Sequence, residues 1–269
     1  MDTGFQPLDP LNNKNKPKRR QIPYRVIAPN LVTLLGLCAG LTSIRMAIEG
    51  RMELAVILIV TAAFLDGIDG RLARFLKGST KFGAELDSLT DFISFGVAPA
   101  ILLFMWGLQD FRSIGWIASL IFAICAALRL ARFNAAMENP ALPAWHSRFF
   151  TGIPAPSGAI VGMLPIYLSF LGIAANDTIQ VTVILYVLAI GFMMVSNIPT
   201  YSGKSLGRGV PPDWVVPIII AVVMLVALLV TYTWWFLTIG TVIYLAVIPI
   251  SWRSYRRLAK TRSAGASAD

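Results

Sequence analysis

Apolar residues follow one another along this chain in long blocks, and polar residues gather in the short stretches between the blocks. Each block holds about twenty predominantly apolar residues, which is the length of an α-helix that crosses the hydrocarbon core of a bilayer. We therefore predict about eight membrane-spanning helices. They are expected at residues 27–47, 53–75, 84–107, 113–135, 156–175, 179–197, 214–232 and 234–252.

The composition places the chain in the same class. Hydrophobic residues make up 56% of its 269 residues and charged residues only 14%, whereas a soluble domain carries about 25% charged residues. We predict an all-α integral membrane protein built as one helical bundle.

The positive charges lie beside the apolar blocks and alternate from one connection to the next. The connections that contain Glu49, Asp110, Asn176 and Tyr232 carry almost no positive charge. The remaining connections and both tails are basic, with the sequences RLARFLKGSTK, ARFNAAMENPALPAWHSR, YSGKSLGR, KNKPKRR and WRSYRRLAKTR. Because positively charged loops stay in the cytoplasm, we expect both termini on the cytoplasmic side of the cell inner membrane. The same pattern accounts for the net charge of +9, so we expect no nucleic-acid partner.

The polar ends divide the chain into three parts. Residues 1–20 are predicted to be a disordered basic cytoplasmic tail, residues 21–252 the membrane-embedded domain that carries the chemistry, and residues 253–269 a basic cytoplasmic tail with a loose end. The polar stretch ahead of the first apolar block is too long for a cleavable signal peptide, so we expect none.

Four aspartates stand at the ends of the second and third predicted spans. Asp66 and Asp69 are three residues apart where the second span ends, and Asp87 and Asp91 are four apart where the third begins. Residues spaced in this way project from one face of a helix. Because the linker between the spans is short and basic, we expect the helices to run antiparallel and the four carboxylates to converge near the cytoplasmic interface.

A cluster of ionised carboxylates next to hydrocarbon needs compensation, since desolvation and mutual repulsion are costly. Protonation is one route, as in a proton-coupled transporter. Divalent cations are the other, and an oxygen-only ligand set suits Mg²⁺ or Mn²⁺, with two ions common where carboxylates handle phosphates. The single histidine, His146, and the two cysteines, Cys38 and Cys125, indicate neither another metal site nor a Ser-His-Asp triad.

Three neighbouring residues favour the interpretation with metal and phosphate. Gly70 follows Asp69 and would let a ligand approach the helix backbone closely. Arg74 lies one turn further along and offers a bidentate fork for a phosphate. Gly83 lies one turn before Asp87 and leaves a gap where a flat base or sugar could lie. Helix packing and the positive-inside pattern would explain either type of residue alone, so the prediction depends on their joint spacing with the aspartates.

Eight positions of this segment have fixed spacings: Asp66, Asp69, Gly70, Ala73, Arg74, Gly83, Asp87 and Asp91. The pattern D-x2-D-G-x2-A-R-x8-G-x3-D-x3-D resembles the signature of the CDP-alcohol phosphatidyltransferase family at every position. Other segments resemble the bacterial and archaeal integral-membrane members that use serine as acceptor; these segments are DFISFGVAPA, ALRLARFNAA, FTGIPAPSGA and SNIPTYSGKS. The resemblance runs from Pro29 to Lys204.

The resemblance implies a reaction and a distribution of roles. Members of the family displace CMP from a CDP-linked lipid with an alcohol, so CDP-diacylglycerol and L-serine are the expected substrates of a multi-pass bundle that forms a homodimer. Asp66, Asp69 and Asp87 would hold the metal ions. Asp91 would share in metal coordination and act as the general base that takes the proton from the serine hydroxyl.

The resemblance also implies a binding site for the CDP-lipid. The stretch PNLVT resembles the family's N-x2-T element, so Asn30 and Thr33 would touch the nucleotide diphosphate, although a helix cap and a packing threonine are the alternatives. Thr80 matches a position that often contacts CDP. The complete predicted set is Asn30, Thr33, Gly70, Ala73, Arg74, Thr80 and Gly83.

The acceptor should be recognised through its carboxylate, to which an arginine is suited. Arg129 and Arg132 lie near the cytoplasmic end of the fourth span, and Arg129 is one turn deeper, where a charge usually has a partner. Lys204 in the YSGKS loop is a further candidate. Asn134 could hydrogen-bond either the substrate or a helix end.

Other functions stay open at this point. Another acceptor, such as choline, glycerol phosphate or inositol phosphate, would call for an aromatic cage or a denser basic pocket. A cation-coupled transporter would use the aspartates as a relay, although transporters usually place such residues near the bilayer midplane, within internal repeats. A lipid-binding scaffold without turnover would leave the intact signature unexplained.

Overall fold

The computed structural model describes residues 24–78, 80–137, 149–173, 177–196, 199–201 and 214–265. Each of the eight predicted spans coincides with one or two helices, so the predicted all-α membrane class is confirmed. Over the described ranges the α-helices are α1 (Tyr24–Ile48), α2 (Met52–Phe75), α3 (Lys81–Asp91), α4 (Ala98–Trp106), α5 (Arg112–Met137), α6 (Ala155–Gly162), α7 (Leu164–Phe170), α8 (Asp177–Val195), α9 (Val215–Thr231) and α10 (Thr233–Gly265).

Several of these helices have the length and composition of membrane spans. Four segments within the described ranges are long and apolar enough to cross a bilayer: Tyr24–Ile48, Lys81–Trp106, Leu108–Ala136 and Thr233–Ser251. Shorter apolar helices accompany them, and α2 is itself 24 residues long, with its aspartates confined to its second half. The chain is therefore a multi-pass membrane protein.

The outer surface of the bundle is apolar, as a lipid-facing surface must be. Phe192 on α8 is 61% exposed and Val230 on α9 is 74% exposed, and many other large apolar side chains are exposed in the same way. A surface of this kind would be unfavourable in water but is suited to hydrocarbon.

Small residues let α1 approach its neighbours closely. Gly36 and Gly40 are buried on α1, one turn apart. A Cβ added at Gly40 would lie 2.9 Å from the Cβ of Ser94, so only a glycine fits there. Close approach through small residues is the usual means of packing helices in membranes. This packing holds α1 against both helices that carry the aspartates.

The third predicted span is not one regular helix. Between α3 and α4 the residues Phe92–Val97 form a π-helical turn directly after Asp91. Its Ser94 hydroxyl donates to the Gly36 carbonyl of α1 at 3.4 Å, and a Cβ on its Gly96 would lie 3.0 Å from the Ala126 Cβ of α5. The wider turn is thus packed between two helices, and π-turns of this kind are frequent at functional sites.

Two short strands were not predicted. Phe149–Thr151 (β1) pairs antiparallel with Pro199–Tyr201 (β2), with Phe149 opposite Tyr201. Helix α10 packs against β2 and against α7. The pairing therefore brings the segment that follows α5 next to the segment that follows α8, and α10 packs against the second of these strands.

The tails differ partly from the prediction. Within the predicted basic tail at residues 253–269, the last eight residues were expected to be loose, but α10 continues as a helix to Gly265. The sequence RRLAK within this stretch consists of strong helix formers, which extend the helix beyond the predicted span. The predicted tail at residues 1–20 lies outside the described residues.

Candidate active site

The aspartates of α2 and α3 come together at one end of the bundle. Asp66, Asp69 and Asp87 each offer a carboxylate oxygen, and these three oxygens lie within 4.8 Å of one another. Asp69 is buried, with 5% of its surface exposed. The antiparallel α2 and α3 thus bring the carboxylates into one cluster, as their helical spacing allows.

Asp91 completes the cluster from one turn further along the chain. Its carboxyl lies at hydrogen-bonding distance from that of Asp66. Its oxygen Oδ1 is buried and makes no hydrogen bond to a donor in any residue that the structure describes. A buried carboxylate oxygen without a partner is costly, and it is available to a cation or to a substrate hydroxyl.

The donor set fits a divalent cation. All of the donors are carboxylate oxygens, which hard ions such as Mg²⁺ and Mn²⁺ prefer. The Thr33 hydroxyl of α1 donates to Asp69 Oδ2 at 2.7 Å and also lies 3.2 Å from the Pro29 carbonyl. This hydrogen bond orients the carboxylate of Asp69.

A cavity of about 300 Å³ opens beside the cluster, between α1, the end of α2 and the start of α3. Asp69 and Asp87 lie in its wall, so the carboxylates and the cavity form one site. Most of the residues predicted to bind the CDP-lipid also line it, namely Asn30, Thr33, Gly70, Ala73, Thr80 and Gly83.

The two predicted glycines have different surroundings in this cavity. A Cβ at Gly70 would meet nothing within 4 Å, so Gly70 keeps the cavity open. A Cβ at Gly83 would lie 2.8 Å from Asn30 Oδ1 and 3.2 Å from Thr80 Oγ1. The space above Gly83 is therefore already filled by Asn30, and the gap predicted at Gly83 is found at Gly70 instead.

Asn30 and Thr80 are tied into the local structure. Helix α1 begins at Tyr24, so Asn30 lies inside the helix and the alternative of a helix cap is wrong for it. Thr80 caps α3, because its hydroxyl accepts a hydrogen bond from the Gly83 backbone N–H at 3.0 Å. Both side chains still border the cavity.

Arg74 does not reach into the cavity. Its side chain is exposed, and its Nε donates to the Gly70 carbonyl of the same helix at 3.0 Å. The predicted phosphate fork is therefore folded back along α2. Arg74 could use Nε for a phosphate only after this hydrogen bond opens.

Among the predicted acceptor residues, Arg129 faces the carboxylates. It lies half-buried on α5, and its guanidinium interacts electrostatically with Asp91 and Asp66 and stands 5.3 Å from the ring centre of Phe133. Within the described part of the chain it makes no salt bridge of 4.0 Å or less. Its charge is thus close to the cluster and still open to an anionic ligand.

The other predicted acceptor residues have structural partners or lie outside the description. Arg132 is exposed, and its Nη1 donates to the Val195 carbonyl at 2.6 Å, which ties α5 to the end of α8. Asn134 donates from Nδ2 to the Ser88 hydroxyl at 2.9 Å, so it bonds α3 between Asp87 and Asp91. Lys204 lies outside the described residues.

Two residues near the site were missed in the sequence. Ser88 escaped notice because a serine between two aspartates resembles ordinary helix surface. Tyr244 of α10 interacts electrostatically with Arg129. A tyrosine in the middle of an apolar block, away from the interfacial aromatic belt, is the signal that could have identified it.

The comparisons with known proteins concern most of the chain. Residues 26–199 match the family model described as CDP-alcohol phosphatidyltransferase, and residues 213–249 match the one described as CDP-alcohol phosphatidyltransferase 2. A CDP-diacylglycerol–serine O-phosphatidyltransferase of Mycobacterium leprae (strain TN) is 36% identical over 91% of this chain and 81% of its own length. A protein of the same name from Helicobacter pylori (strain J99 / ATCC 700824) is 36% identical over 63% of this chain and 70% of its own. An archaetidylserine synthase of Methanothermobacter thermautotrophicus is 36% identical over 52% of this chain and 58% of its own.

Proposed function

The chain belongs to the CDP-alcohol phosphatidyltransferase family, and we propose that it transfers a phosphatidyl group from CDP-diacylglycerol to the hydroxyl of L-serine, which forms phosphatidylserine and releases CMP. The observation that carries this proposal is the aspartate cluster that opens into a cavity at one end of a membrane bundle. The names of the similar proteins support serine as the acceptor.

The aspartates have distinct roles in this reaction. Asp66, Asp69 and Asp87, with a share from Asp91, hold divalent cations, Mg²⁺ or Mn²⁺, and two ions suit a diphosphate substrate. When bound, such ions neutralise charge on the diphosphate and make the phosphorus more electrophilic. The three oxygens within 4.8 Å of one another are the support for this assignment.

Asp91 acts as the general base. Its buried Oδ1 accepts the proton of the serine hydroxyl. The serine oxygen forms a bond to the phosphorus that bears diacylglycerol, the bond from that phosphorus to the CMP oxygen breaks, and CMP leaves. Because a serine hydroxyl is a weak acid, the reaction depends on its orientation towards both Asp91 and the phosphorus.

The cavity of about 300 Å³ receives the CDP moiety. Gly70 and Ala73 leave room along α2, while Asn30 and Thr80 offer polar groups at the opposite wall. The diacylglycerol tails extend into the bilayer. The exposed apolar side chains of the bundle contact the same hydrocarbon. The site lies at a helix end because one substrate is a lipid and the other is soluble.

Arg129 binds the carboxylate of serine. Its guanidinium is near Asp91 without being paired to it by a short salt bridge in the described part of the chain. A serine held there by its carboxylate has its hydroxyl on the side of Asp91, since the amino acid is only a few bonds long. Arg132 and Asn134 serve this site by fixing the end of α5.

The site and both termini face the cytoplasm, and the protein resides in the cell inner membrane as a homodimer. The basic sequences beside the spans support this orientation. The dimer is inferred from the family alone.

An acceptor panel tests the proposed function. Purified protein in mixed micelles with labelled CDP-diacylglycerol and Mn²⁺ should release CMP with L-serine, and chelation of the metal should abolish the release. Choline, glycerol phosphate and inositol phosphate, each tested alone, should give little CMP. Release with any of these acceptors but not with serine would contradict the proposed specificity.

A further inference from the structure

Ser88 lies among the clustered aspartates, and its side chain is bonded to another helix. It follows Asp87 directly on α3 and precedes Asp91 by three residues. Asn134 of α5 donates from Nδ2 to the Ser88 hydroxyl oxygen at 2.9 Å, and both residues are half-buried. The helix that carries Asp87 and Asp91 is thus joined to α5 by this hydrogen bond.

The same hydroxyl is fixed to the backbone of its own helix. Its oxygen lies 3.0 Å from the Ala84 carbonyl and 3.3 Å from Asn134 Oδ1. A hydroxyl has a single hydrogen to donate, and it accepts through its lone pairs. Ser88 can therefore donate to Ala84, the nearer of the two acceptors, while it accepts from Asn134. Because Ala84 lines the cavity, these two hydrogen bonds lead from α5 to the wall of the cavity.

Helix α3 is held by two elements that are themselves fixed in the bundle. The first is α1, which packs along α3 and brings Asn30 so close to Gly83 that an added Cβ would lie 2.8 Å from Asn30 Oδ1. The second is α5, which packs against α8 and against the π-turn. The Ser88–Asn134 hydrogen bond therefore connects α3 to a helix that is anchored elsewhere in the bundle.

The position of Ser88 on α3 makes this bond sensitive to rotation of the helix. At about 100° per residue, Asp87 and Asp91 lie about 40° apart around the helix axis, and Ser88 lies about 60–100° from them. Because a helix with its side chains is about 10–12 Å wide, a rotation of about 10° moves a carboxylate oxygen by about 1 Å. A metal site tolerates only about 0.2 Å in its ligand distances. A small rotation of α3 would therefore misplace Asp87 relative to the aspartates of α2, and the bond to α5 opposes such a rotation.

We propose that Ser88 is a positioning residue for the metal site. Through its hydrogen bond to Asn134 it fixes the rotation of α3, and this rotation places the Asp87 carboxylate next to the carboxylates of α2. Ser88 itself touches neither the metal ion nor the substrates. The inference rests on the proposed function in that the aspartates hold Mg²⁺ or Mn²⁺.

Ser88→Ala tests the proposal, because it removes the hydroxyl and keeps a residue that favours the helix. The Kd for Mn²⁺ is measured on the purified protein by electron paramagnetic resonance of the free ion. We expect it to rise about three- to tenfold, which is the range of one typical hydrogen bond. Ser88→Thr keeps the hydroxyl and should leave the Kd within about twofold of the wild type.

Ser169→Ala is the matched control for the loss of a hydrogen bond between helices. The Ser169 hydroxyl of α7 has the same arrangement, since it accepts from Trp106 Nε1 at 3.0 Å and donates to the Ile166 carbonyl, one turn back, at 2.7 Å. Trp106 is the last residue of α4, which leads away from the aspartates. Both variants should lower the Tm by similar amounts, but only Ser88→Ala should weaken Mn²⁺ binding.

A double-mutant cycle shows whether the effect passes through α5. In an Asn134→Ala background, Ser88→Ala should cause little further rise in the Kd for Mn²⁺, because the two residues act as one unit. Unchanged Mn²⁺ binding in Ser88→Ala would overturn the proposal. So would an equal loss of Mn²⁺ binding in Ser169→Ala, which would indicate a general effect on the fold.

The binding of Mn²⁺ is measured separately from the proposed transfer. If the wild type binds Mn²⁺ but releases no CMP with serine, the proposed function fails, whereas weaker Mn²⁺ binding in Ser88→Ala would still support the positioning role. A wild type that binds no Mn²⁺ would overturn the positioning role together with the metal site.

Discussion

The hydrogen bond between Thr33 and Asp69 joins the first helix to the aspartate cluster through a single hydroxyl. The two oxygens lie 2.7 Å apart, and both residues are buried. Partners of this kind orient a ligating carboxylate and typically change metal affinity by about 10- to 100-fold when they are removed. We therefore expect Thr33, which also lines the cavity, to influence the affinity for the metal ion.

Replacing Thr33 with valine should weaken metal binding while preserving shape. We expect the Mn²⁺ concentration for half-maximal CMP release to rise about tenfold. Thr42→Val is the control, since the Thr42 hydroxyl is exposed and donates to the Cys38 carbonyl of α1. An unchanged Mn²⁺ requirement in Thr33→Val would show that Asp69 does not need this hydrogen bond.

The glycines of α2 allow a test of the CDP cavity. Gly70 and Gly67 are both exposed on this helix, and a Cβ at either would meet nothing within 4 Å, but only Gly70 lines the cavity. We expect Gly70→Ala to raise the KM for CDP-diacylglycerol several-fold with no loss in Tm, because alanine fits the helix but fills part of the cavity. Gly67→Ala should leave that KM unchanged. Equal KM values in the two variants would mean that CDP binds elsewhere.

At the scale of elements, the position of the proposed general base, Asp91, depends on how α3 continues into its π-turn. Asp91 is the last residue of α3, and the turn that follows is held by α1 through Gly40 and by α5 through Ala126. Packing at these contacts therefore fixes the direction in which Asp91 points.

Gly40→Ala tests this dependence. The added Cβ would collide with the Ser94 side chain, and overpacking of this kind costs about 1–3 kcal/mol. We expect a lower Tm and a kcat reduced at least tenfold, with the metal requirement little changed. The double variant Gly40→Ala/Ser94→Gly should recover part of both losses, since Ser94→Gly removes the Ser94 Cβ. If the Tm falls while kcat is unchanged, the packing of the π-turn does not control the orientation of Asp91.

The elements also show which features could be predicted. Except at the end of α10, the helix bounds were found within a few residues, because unbroken apolar runs have few alternatives. The aspartates could be placed because a spacing of three or four residues fixes a helix face. The π-turn at Phe92–Val97 and the pairing of β1 with β2 depend on contacts between distant segments, and local sequence does not specify such contacts. The orientation of Arg74 was missed for a related reason, since a long flexible side chain can point either to the cavity or back to Gly70.

At the scale of the whole molecule, the alternation of basic and uncharged connections supports our proposal that the end of the bundle with the aspartates faces the cytoplasm. The α2–α3 connection lies at this end with the aspartates, and the α1–α2 connection at Glu49 lies at the other. In the proposed reaction, the lipid substrate and the soluble acceptor therefore meet on the side that holds the basic loops.

Cysteine labelling tests this orientation. In a variant that lacks Cys38 and Cys125, a membrane-impermeant maleimide should label Glu49→Cys in intact cells, because this residue is exposed at the predicted outer end. Lys81→Cys, exposed at the predicted inner end, should be labelled only after the membrane is opened. The reverse pattern would place the active site outside the cell and contradict the proposed localisation.

The most direct test of the central claim is the binding of Mn²⁺ to the purified protein, measured by electron paramagnetic resonance of the free ion. The wild type should bind Mn²⁺, and Asp87→Asn should lose most of this binding, since Asp87 contributes one of the three clustered oxygens. Glu85→Gln, an exposed carboxylate on the same helix, should bind as the wild type does. Equal Mn²⁺ binding by the wild type and Asp87→Asn would contradict the claim that this cluster holds the ions on which the transfer depends.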